Sequence, residues 1–257
     1  MSGVIAVLGF GEAGSLLARD LVAAGATVRG YDPAVPAPDG VTGAGGDAEA
    51  ADGADLVLSV NSAKEAEGAL RASLDAVRPG AIWADLNTAA PAVKQRLAGI
   101  GRDRGIPVTD IAMMAPVPGK GLRVPMLASG EGAAQVAARL GGFGADVEVL
   151  DGPAGLAATR KLLRSVFYKG MAASIVEALE AARAAGYEDW LREHIAEELA
   201  KADSSTVQRI VTGTRQHAVR RGAEMAAAAE MLTDFGVQPI MADASRALHE
   251  RIAAEKE

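Results

Sequence analysis

A glycine-rich turn near the amino terminus constrains the fold more than any other stretch of the chain. It follows an apolar run, residues 4–8 (VIAVL), that is typical of a strand buried on both faces, and it precedes a helical segment at 15–24. In this setting a G-x-G-x-x-G turn brings backbone close to a pyrophosphate, and the helix N-terminus faces the anion. We therefore predict that the whole turn binds a dinucleotide; it consists of Gly9, Phe10, Gly11, Glu12, Ala13 and Gly14.

An acidic residue follows the next predicted strand, 26–31. Asp32 at this position is expected to accept hydrogen bonds from the adenosine ribose hydroxyls and to repel a 2′-phosphate, so the predicted cofactor is NAD. NADP stays open as an alternative because Arg29 lies nearby and its direction is unknown from sequence. The alternative to both is a glycine-rich turn that binds no nucleotide.

The alternation of strands and helices continues through the first half. Strands are predicted at 55–60, 81–85 and 106–110, with helices at 63–77 and 91–100 between them. Such spacing predicts a doubly wound, mainly parallel sheet, in which ligands bind beyond the carboxyl ends of the strands. This rule puts Val60, Asn61 and Thr88 on the cofactor side, although Thr88 is equally well explained as a helix cap.

The second half is predicted to be helical. Its first helix is expected to run from 153 to 186, with Asp151 as its cap and Pro153 in its first turn. Further helices are predicted at 188–200, 204–211, 214–235 and 241–254. The predicted organisation is an α/β domain of the Rossmann type at 1–152, joined by the long helix to an all-helical domain at 153–257.

Composition and charge limit the partners. A formal net charge of −7, with basic residues scattered until the C-terminal helices, argues against nucleic acid. The chain has no cysteine, and no stretch approaches the roughly 18 consecutive apolar residues of a membrane span. No metal is expected because His194 and His249 lack ligand spacing. We expect a cytoplasmic protein with neither nucleic acid nor membrane as partner.

Three segments resemble the β-hydroxyacid dehydrogenase superfamily, which includes 3-hydroxyisobutyrate and 6-phosphogluconate dehydrogenases. Residues 85–91 (DLNTAAP) resemble the D-x-S-T-x-x-P pattern of the family. Residues 110–121 (DIAMMAPVPGKG) resemble its substrate loop, D-A-P-V-S-G-G, with extra residues and with Pro118 in place of serine. Lys161 matches the lysine of G-x-x-x-K-x-x-x-N, with Ser165 in place of asparagine. Residues 160–170 and 213–225 are closest to a bacterial subgroup with a short helical C-terminal domain.

The resemblance implies an NAD(P)-dependent dehydrogenase or reductase that transfers hydride between nicotinamide and a small β-hydroxy acid or related carbonyl. Lys161 would be the general acid and base, Thr88 would contact cofactor and substrate, and the helical domain would build a homodimer. The remaining residues expected to bind a small anionic substrate are Pro118, Gly119, Lys120, Arg164, Ser165, His217 and Arg220. An imine reductase on the same fold and a dinucleotide-binding regulatory protein without turnover are the alternatives.

Two polar stripes accompany these residues. Lys161, Arg164 and Ser165 share one helix face with Tyr168, and the alternative reading of Lys161 is a lysine that reaches the surface. His217 and Arg220 are predicted to share a face with Arg221 and Glu224. The alternative reading of that second stripe is a solvated face with Arg221 and Glu224 paired.

Overall fold

The computed structural model describes residues 3–255, and the chain divides into two compact units. The first unit ends at Arg164 and the second begins at Ser165. This division falls inside one continuous helix, so the backbone passes from one unit to the other without a loop.

The first unit is built on one eight-stranded sheet. Its strand order is β3-β2-β1-β4-β5-β6-β7-β8, and every neighbouring pair is parallel except β6 and β7. The strands are β1 (Val4–Leu8), β2 (Thr27–Tyr31), β3 (Thr42–Gly43), β4 (Leu56–Ser59), β5 (Ile82–Asp85), β6 (Val108–Met113), β7 (Met126–Ser129) and β8 (Val147–Val149). The predicted fold class, a doubly wound and mainly parallel sheet followed by helices, is confirmed.

Helices cover both faces of this sheet because successive residues of a buried strand point to opposite sides. Ile5 and Val7 of β1 belong to one apolar cluster, and Ala6 and Leu8 belong to the cluster on the other face. The helices of the first unit are α1 (Glu12–Ala23), α2 (Asp47–Ala51), α3 (Ala66–Ser73), α4 (Pro91–Arg102) and α5 (Ala133–Gly141), with a short 3₁₀ turn at Gly121–Arg123.

The long helix α6 (Leu156–Ala185) has 30 residues. The prediction that Asp151 caps it and that Pro153 lies in its first turn is wrong. Gly155, with φ of +101°, lies between Pro153 and the helix, and the first helical N–H groups bond to side chains from the sheet. Remote acceptors thus fix the start of α6, in place of the local cap that the sequence suggested.

The second unit contains the rest of α6 and four further helices. They are α7 (Glu188–Ala200), α8 (Thr206–Gln216), α9 (Ala218–Asp234) and α10 (Ile240–Ala254). The prediction of one helix at 214–235 is wrong, because the helix is interrupted at His217. This residue follows the last residue of α8 and precedes the first residue of α9. His217 donates no side-chain cap there.

Glu177 ties two helices of the second unit together. Its carboxylate oxygens on α6 accept the backbone N–H groups of Met241 at 2.7 Å and Ala242 at 2.9 Å, both in the first turn of α10. Two of the N–H groups that any helix leaves unpaired at its start are therefore bonded to a charged acceptor.

We predict that Glu177→Ala lowers the free energy of unfolding by about 1–2 kcal/mol, because these two first-turn N–H groups of α10 lose their acceptor. Urea denaturation of the second unit's helical signal measures the change. Glu180→Ala is the matched control, since Glu180 is an exposed glutamate of the same helix. Equal losses in the two variants would contradict the role given to Glu177.

Candidate active site

In the glycine turn after β1, Gly9 and Gly14 are closely packed against other backbone atoms, and Gly11 between them faces empty space. A side chain on Gly9 would lie 2.7 Å from Val60 O, and one on Gly14 would lie 2.0 Å from Gly9 O. A side chain on Gly11 would meet no atom within 4 Å, so the space in front of α1 is clear. This is the arrangement that lets a phosphate approach a helix N-terminus.

A cleft of about 420 Å³ begins at this turn, and its volume is in the range of ligand-binding clefts. It brings together five predicted cofactor residues: Gly9, Gly11, Asp32, Val60 and Asn61. The other residues of its wall are Tyr31, Pro33, Asp47, Ser62, Glu65, Gly68 and Ala69. Phe10 is a core residue, 2% exposed, so only its backbone faces this region; Glu12 is exposed at the start of α1.

Asp32 holds the shape of the cleft through three backbone N–H groups. Its Oδ2 accepts from Phe10 at 2.7 Å, and its Oδ1 accepts from Ala34 at 2.8 Å and Val35 at 2.9 Å. Partial burial acts to raise the pKa of Asp32, but these three bonds outweigh it and hold the pKa below its ordinary value. Asp32 is therefore a stable anion at the carboxyl end of β2.

Arg29 does not compete for that position. Its Nε donates to Ala50 O at 3.1 Å, and its guanidinium also donates to Asp52 O. Both acceptors lie at the C-terminal end of α2, where a cation is favourable to the helix dipole. The uncertainty that the sequence left about the direction of Arg29 is thereby resolved.

A buried lysine lies behind the carboxyl end of β5 and the middle of β6. Lys94 Nζ is 2.6 Å from Asp85 Oδ2 and 3.1 Å from Asp110 Oδ1, and it donates to Asp85 O at 2.9 Å. All three side chains are 1% exposed. A buried cation between two carboxylates satisfies groups that could not be left alone in the core.

Asn87 extends this network to the cofactor edge of the sheet. Its Nδ2 donates to Asp85 Oδ1 at 2.6 Å, Asn61 Oδ1 at 2.9 Å and Ser59 Oγ at 3.1 Å. The ends of β4 and β5 are thus connected by side chains, and Asn61 belongs to both the network and the cleft.

The other oxygen of Asp110 reaches the long helix. Asp110 Oδ2 accepts N–H bonds from Gly155 at 3.1 Å and Ala158 at 2.8 Å, while Ser129 Oγ accepts from Ala157 at 3.1 Å. The prediction that Asp110 ends its strand and begins a loop is wrong, because β6 continues to Met113. Asp110 is instead a buried structural acceptor that fixes where α6 begins.

Lys161 lies about one turn beyond this fixed start. It lines a narrow cavity, too small to hold a water molecule, together with Asn87, Thr88, Ala89 and Ala158, and with residues 110–112 of β6. Lys161 is half-buried, and Thr88 is exposed. Thr88 and Lys161, which are 73 positions apart in the sequence, therefore share one cavity.

The predicted glycine-rich substrate turn lies against α1. The N–H groups of Lys120 and Gly121 both bond to Val117 O, at 2.9 and 2.8 Å, so they are used within the turn. Asp20 of α1 accepts the N–H of Leu122 at 2.7 Å. Pro118, Gly119 and Lys120 are exposed, and the residues lining the Lys161 cavity come from other segments.

The remaining predicted substrate residues lie on α6 and beyond. Arg164 is exposed and Ser165 is half-buried, and they are the last residue of the first unit and the first of the second. Arg220, also exposed, pairs with Glu224. The predicted alternative pairing of Arg221 with Glu224 is wrong, because Arg221 donates to Thr214 Oγ1 at 2.7 Å.

Sequence reasoning missed Lys94, Asp47 and Glu65. A signal for Lys94 exists, since it lies three residues before Leu97 and seven before Gly101, on the buried stripe of α4. Asp47 and Glu65 follow β3 and β4 at the same edge of the sheet, but the two-residue strand β3 was too short to recognise. Among residues 3–255, no group of three or more His, Cys, Asp or Glu side chains is arranged to hold a metal ion.

Comparison with known proteins agrees with this geometry. Residues 4–121 match the NAD binding domain of 6-phosphogluconate dehydrogenase, and residues 182–252 match a domain of unknown function, DUF1932. A conserved hypothetical protein from Sinorhizobium meliloti 1021 is 30% identical, with a TM-score of 0.63, over 99% of this chain and 88% of that one. An uncharacterized 28.5 kDa protein from Methanothermus fervidus is 27% identical, and the match spans 66% of each chain.

Two further solved structures extend the comparison. A conserved protein described as structurally similar to 3-hydroxyacid dehydrogenases is 25% identical over 98% of both chains, with a TM-score of 0.63. The imine reductase from Myxococcus stipitatus in complex with NAD⁺ has a TM-score of 0.82 over 99% of this chain and 95% of that one, at 18% identity. The second likeness concerns the fold alone.

The sheet order, the open glycine turn and the matched domain define an NAD(P)-dependent oxidoreductase with an NAD-binding first unit. Within that class, the chain belongs to the β-hydroxyacid dehydrogenase-like superfamily, in the subgroup whose C-terminal helices match DUF1932. Among residues 3–255, none of the helices has the length and apolar character needed to cross a lipid bilayer.

We predict that Lys94→Met lowers the free energy of unfolding by about 3–5 kcal/mol, because two carboxylates would remain buried without their cation. Chemical denaturation followed by circular dichroism measures this loss. Lys64→Met is the matched control, since Lys64 is an exposed lysine of the same unit. A loss below about 1 kcal/mol for Lys94→Met would contradict the dependence of the core on this cation.

Proposed function

We propose that the protein is an NAD-dependent dehydrogenase or reductase that acts between a small β-hydroxy acid and the corresponding carbonyl compound. The observation that carries the proposal is the position of Lys161. It lies one turn beyond a helix start held by Asp110 and Ser129, in a cavity with Thr88 at the ligand-binding edge of the sheet. An amine held on a rigid element at this edge suits proton transfer.

The residues of the cleft would hold the cofactor, and the bound nicotinamide would accept hydride from the alcohol carbon or return it to the carbonyl carbon. Gly11 leaves room for the pyrophosphate before α1, and Asp32 places an anion at the adenosine end. Phe10, Glu12, Ala13 and Gly14 form the rest of the turn, while Val60, Asn61 and Thr88 continue along the strand ends. Because Arg29 is engaged at α2, NAD is preferred over NADP in this proposal.

Lys161 would take the hydroxyl proton as hydride leaves the carbon, and it would return that proton to the oxygen in reduction. Thr88 would orient the reacting oxygen. Arg164, Ser165, His217 and Arg220 stay the proposed contacts of an anionic substrate group. Pro118, Gly119 and Lys120 are less well supported in that role, since two N–H groups of their turn are already bonded to Val117.

An imine reductase is the second candidate, favoured by the lining of the Lys161 cavity. The family's substrate loop is rich in glycine, but here β6 continues through Ile111 and Ala112 to Met113, so this side of the cavity is apolar. Apolar residues beside the amine suit a cyclic imine better than a hydroxy acid. The solved imine reductases that share the fold make this substrate class a reasonable one to test.

We predict that Lys161→Met abolishes turnover and changes NAD affinity less than about threefold, because a proton carrier is lost while the cleft stays intact. Reduced-nicotinamide absorbance is followed over a panel of hydroxy acids, aldehydes and cyclic imines, and cofactor affinity is followed by fluorescence titration. Lys169→Met, an exposed lysine of the same helix, is the matched control.

Each outcome of this panel discriminates between candidates. Turnover of hydroxy acids that needs Lys161 supports the dehydrogenase, and turnover confined to imines supports the reductase. Cofactor binding without any turnover would favour a regulatory protein, and a loss of NAD affinity in Lys161→Met would count against its assignment.

We further propose a homodimer formed through the helical unit. Most of the exposed large apolar side chains of residues 3–255 belong to the second unit. On α8, Val207, Ile210 and Val211 form one stripe at spacings of three and four, and they are 70%, 55% and 45% exposed. Exposed apolar stripes of this kind are covered by a partner, and a second copy presents the same surface to itself.

We predict that Ile210→Glu converts the dimer to a monomer, because a buried unpaired charge opposes association. Sedimentation velocity measures the oligomeric state. Gln208→Glu introduces the same charge beside the stripe and should leave the dimer intact. A monomeric wild-type protein, or a dimer in both variants, would refute this interface.

A further inference from the structure

The adenosine end of the cofactor cleft contains two carboxylates besides Asp32. Asp47 is the first residue of α2, and Glu65 precedes α3; both line the cleft with Asp32. Three acidic side chains from three segments therefore line one nucleotide-binding cleft, and the charges of Asp32 and Glu65 act on Asp47. The glycine turn and the matched NAD-binding domain already identify the ligand of this cleft, so the acidic side chains bear on its specificity.

Asp32 has little capacity left for the ribose. A carboxylate offers about four acceptor positions, and three are used by the N–H groups of Phe10, Ala34 and Val35. Asp32 can hold one hydroxyl while it keeps these bonds, and two hydroxyls would require it to release part of the turn. A second acceptor at this end of the cleft would complete the recognition of a ribose with both hydroxyls free.

Asp47 has the properties of that second acceptor. Burial raises the pKa of Asp47, and the charges of Asp32 and Glu65 raise it further, while no hydrogen bond contributes to lowering it. Within the described range 3–255, no hydrogen-bond donor contacts this carboxylate, whereas the neighbouring Glu49 accepts the N–H of Gly45 at 2.7 Å. An uncompensated, half-buried anion is unfavourable by itself, so its position has to be explained by what it faces.

We propose that Asp47 is a second specificity-determining residue, which accepts a ribose hydroxyl of NAD and, together with Asp32, repels the 2′-phosphate of NADP. This inference rests on the proposed NAD preference of the same cleft and names the group that enforces it. A 2′-phosphate would replace a hydrogen-bond donor by roughly two negative charges in a cleft lined by two carboxylates. Removal of Asp32 alone would therefore leave part of the discrimination in place.

The test compares the binding of NADH and NADPH to the full-length protein by fluorescence titration. Asp47→Asn should lower the ratio of the NADPH to the NADH dissociation constant about tenfold, since one of two repelling charges is removed while the amide oxygen still accepts the ribose hydroxyl. Asp52→Asn is the matched control, because Asp52 is an exposed aspartate at the far end of α2 and outside the cleft. Retained NADH binding also verifies that each variant is folded.

A pH series adds an independent readout. As pH falls towards the raised pKa of Asp47, its carboxylate takes up a proton, so the ratio of the NADPH to the NADH dissociation constant should fall further in the wild type than in Asp47→Asn. Protonation of the 2′-phosphate lowers this ratio in both proteins, and their difference isolates Asp47. Glu65 and Asp32, which face Asp47, and Glu49 on its own helix are common to both proteins.

The outcomes separate this inference from the proposed function. If the wild type prefers NADH and Asp47→Asn leaves the ratio unchanged, or if Asp52→Asn shifts it equally, the role of Asp47 is refuted while the dehydrogenase proposal stands. If the wild type binds NADPH at least as tightly as NADH, the NAD preference and the role of Asp47 are refuted while the oxidoreductase proposal stands. If it binds neither cofactor, both proposals are refuted. A selective gain in NADPH binding supports Asp47 whether or not a substrate turns over.

Discussion

The buried contact of Lys94 with Asp85 and Asp110 is the interaction on which the site geometry depends. It joins the end of β5, the middle of β6 and the apolar stripe of α4 at one point that water does not reach. Removing such charges from water is costly, so the contact adds less to stability than its short distances suggest. The contact mainly fixes the orientation of the two carboxylates, because each must present one particular oxygen to the ammonium.

The carboxylate oxygens that do not contact Lys94 bond to neighbouring segments of the site. Asp85 Oδ1 accepts from Asn87, which reaches Asn61 and hence the cofactor cleft. Asp110 Oδ2 accepts from Gly155 and Ala158 and hence fixes α6. Hydrogen bonds to the same three buried side chains therefore position both the lysine proposed for proton transfer and the strand ends that line the cleft. Rigid elements that bond to the same buried side chains hold two groups from distant segments at a fixed distance from each other.

Local patterns predicted what local interactions determine. Strand β1 before the glycine turn and helix α4 are encoded by residues within one element, and the predictions of their positions are confirmed. The start of α6 could not be predicted, because Asp110 lies 45 and 48 positions from the N–H groups it accepts. The sequence predicts a loop after Asp110 for a related reason. The segment is a strand because Met113 pairs with Met126 of an antiparallel neighbour, and no short-range pattern indicates that pairing.

The choice between alcohol and imine chemistry depends on two features that point in different directions. The apolar run at the end of β6 favours a substrate without charge beside it. Lys161, when protonated, favours an oxygen that gains negative charge as hydride arrives, and it repels an iminium cation, which already carries the proton it needs. Since charge at the reacting atom acts on the transition state while lining acts mainly on binding, the lysine should decide the reaction type. The apolar residues beside Lys161 should then decide the body of the substrate, which favours a carbonyl or hydroxy compound with an apolar substituent.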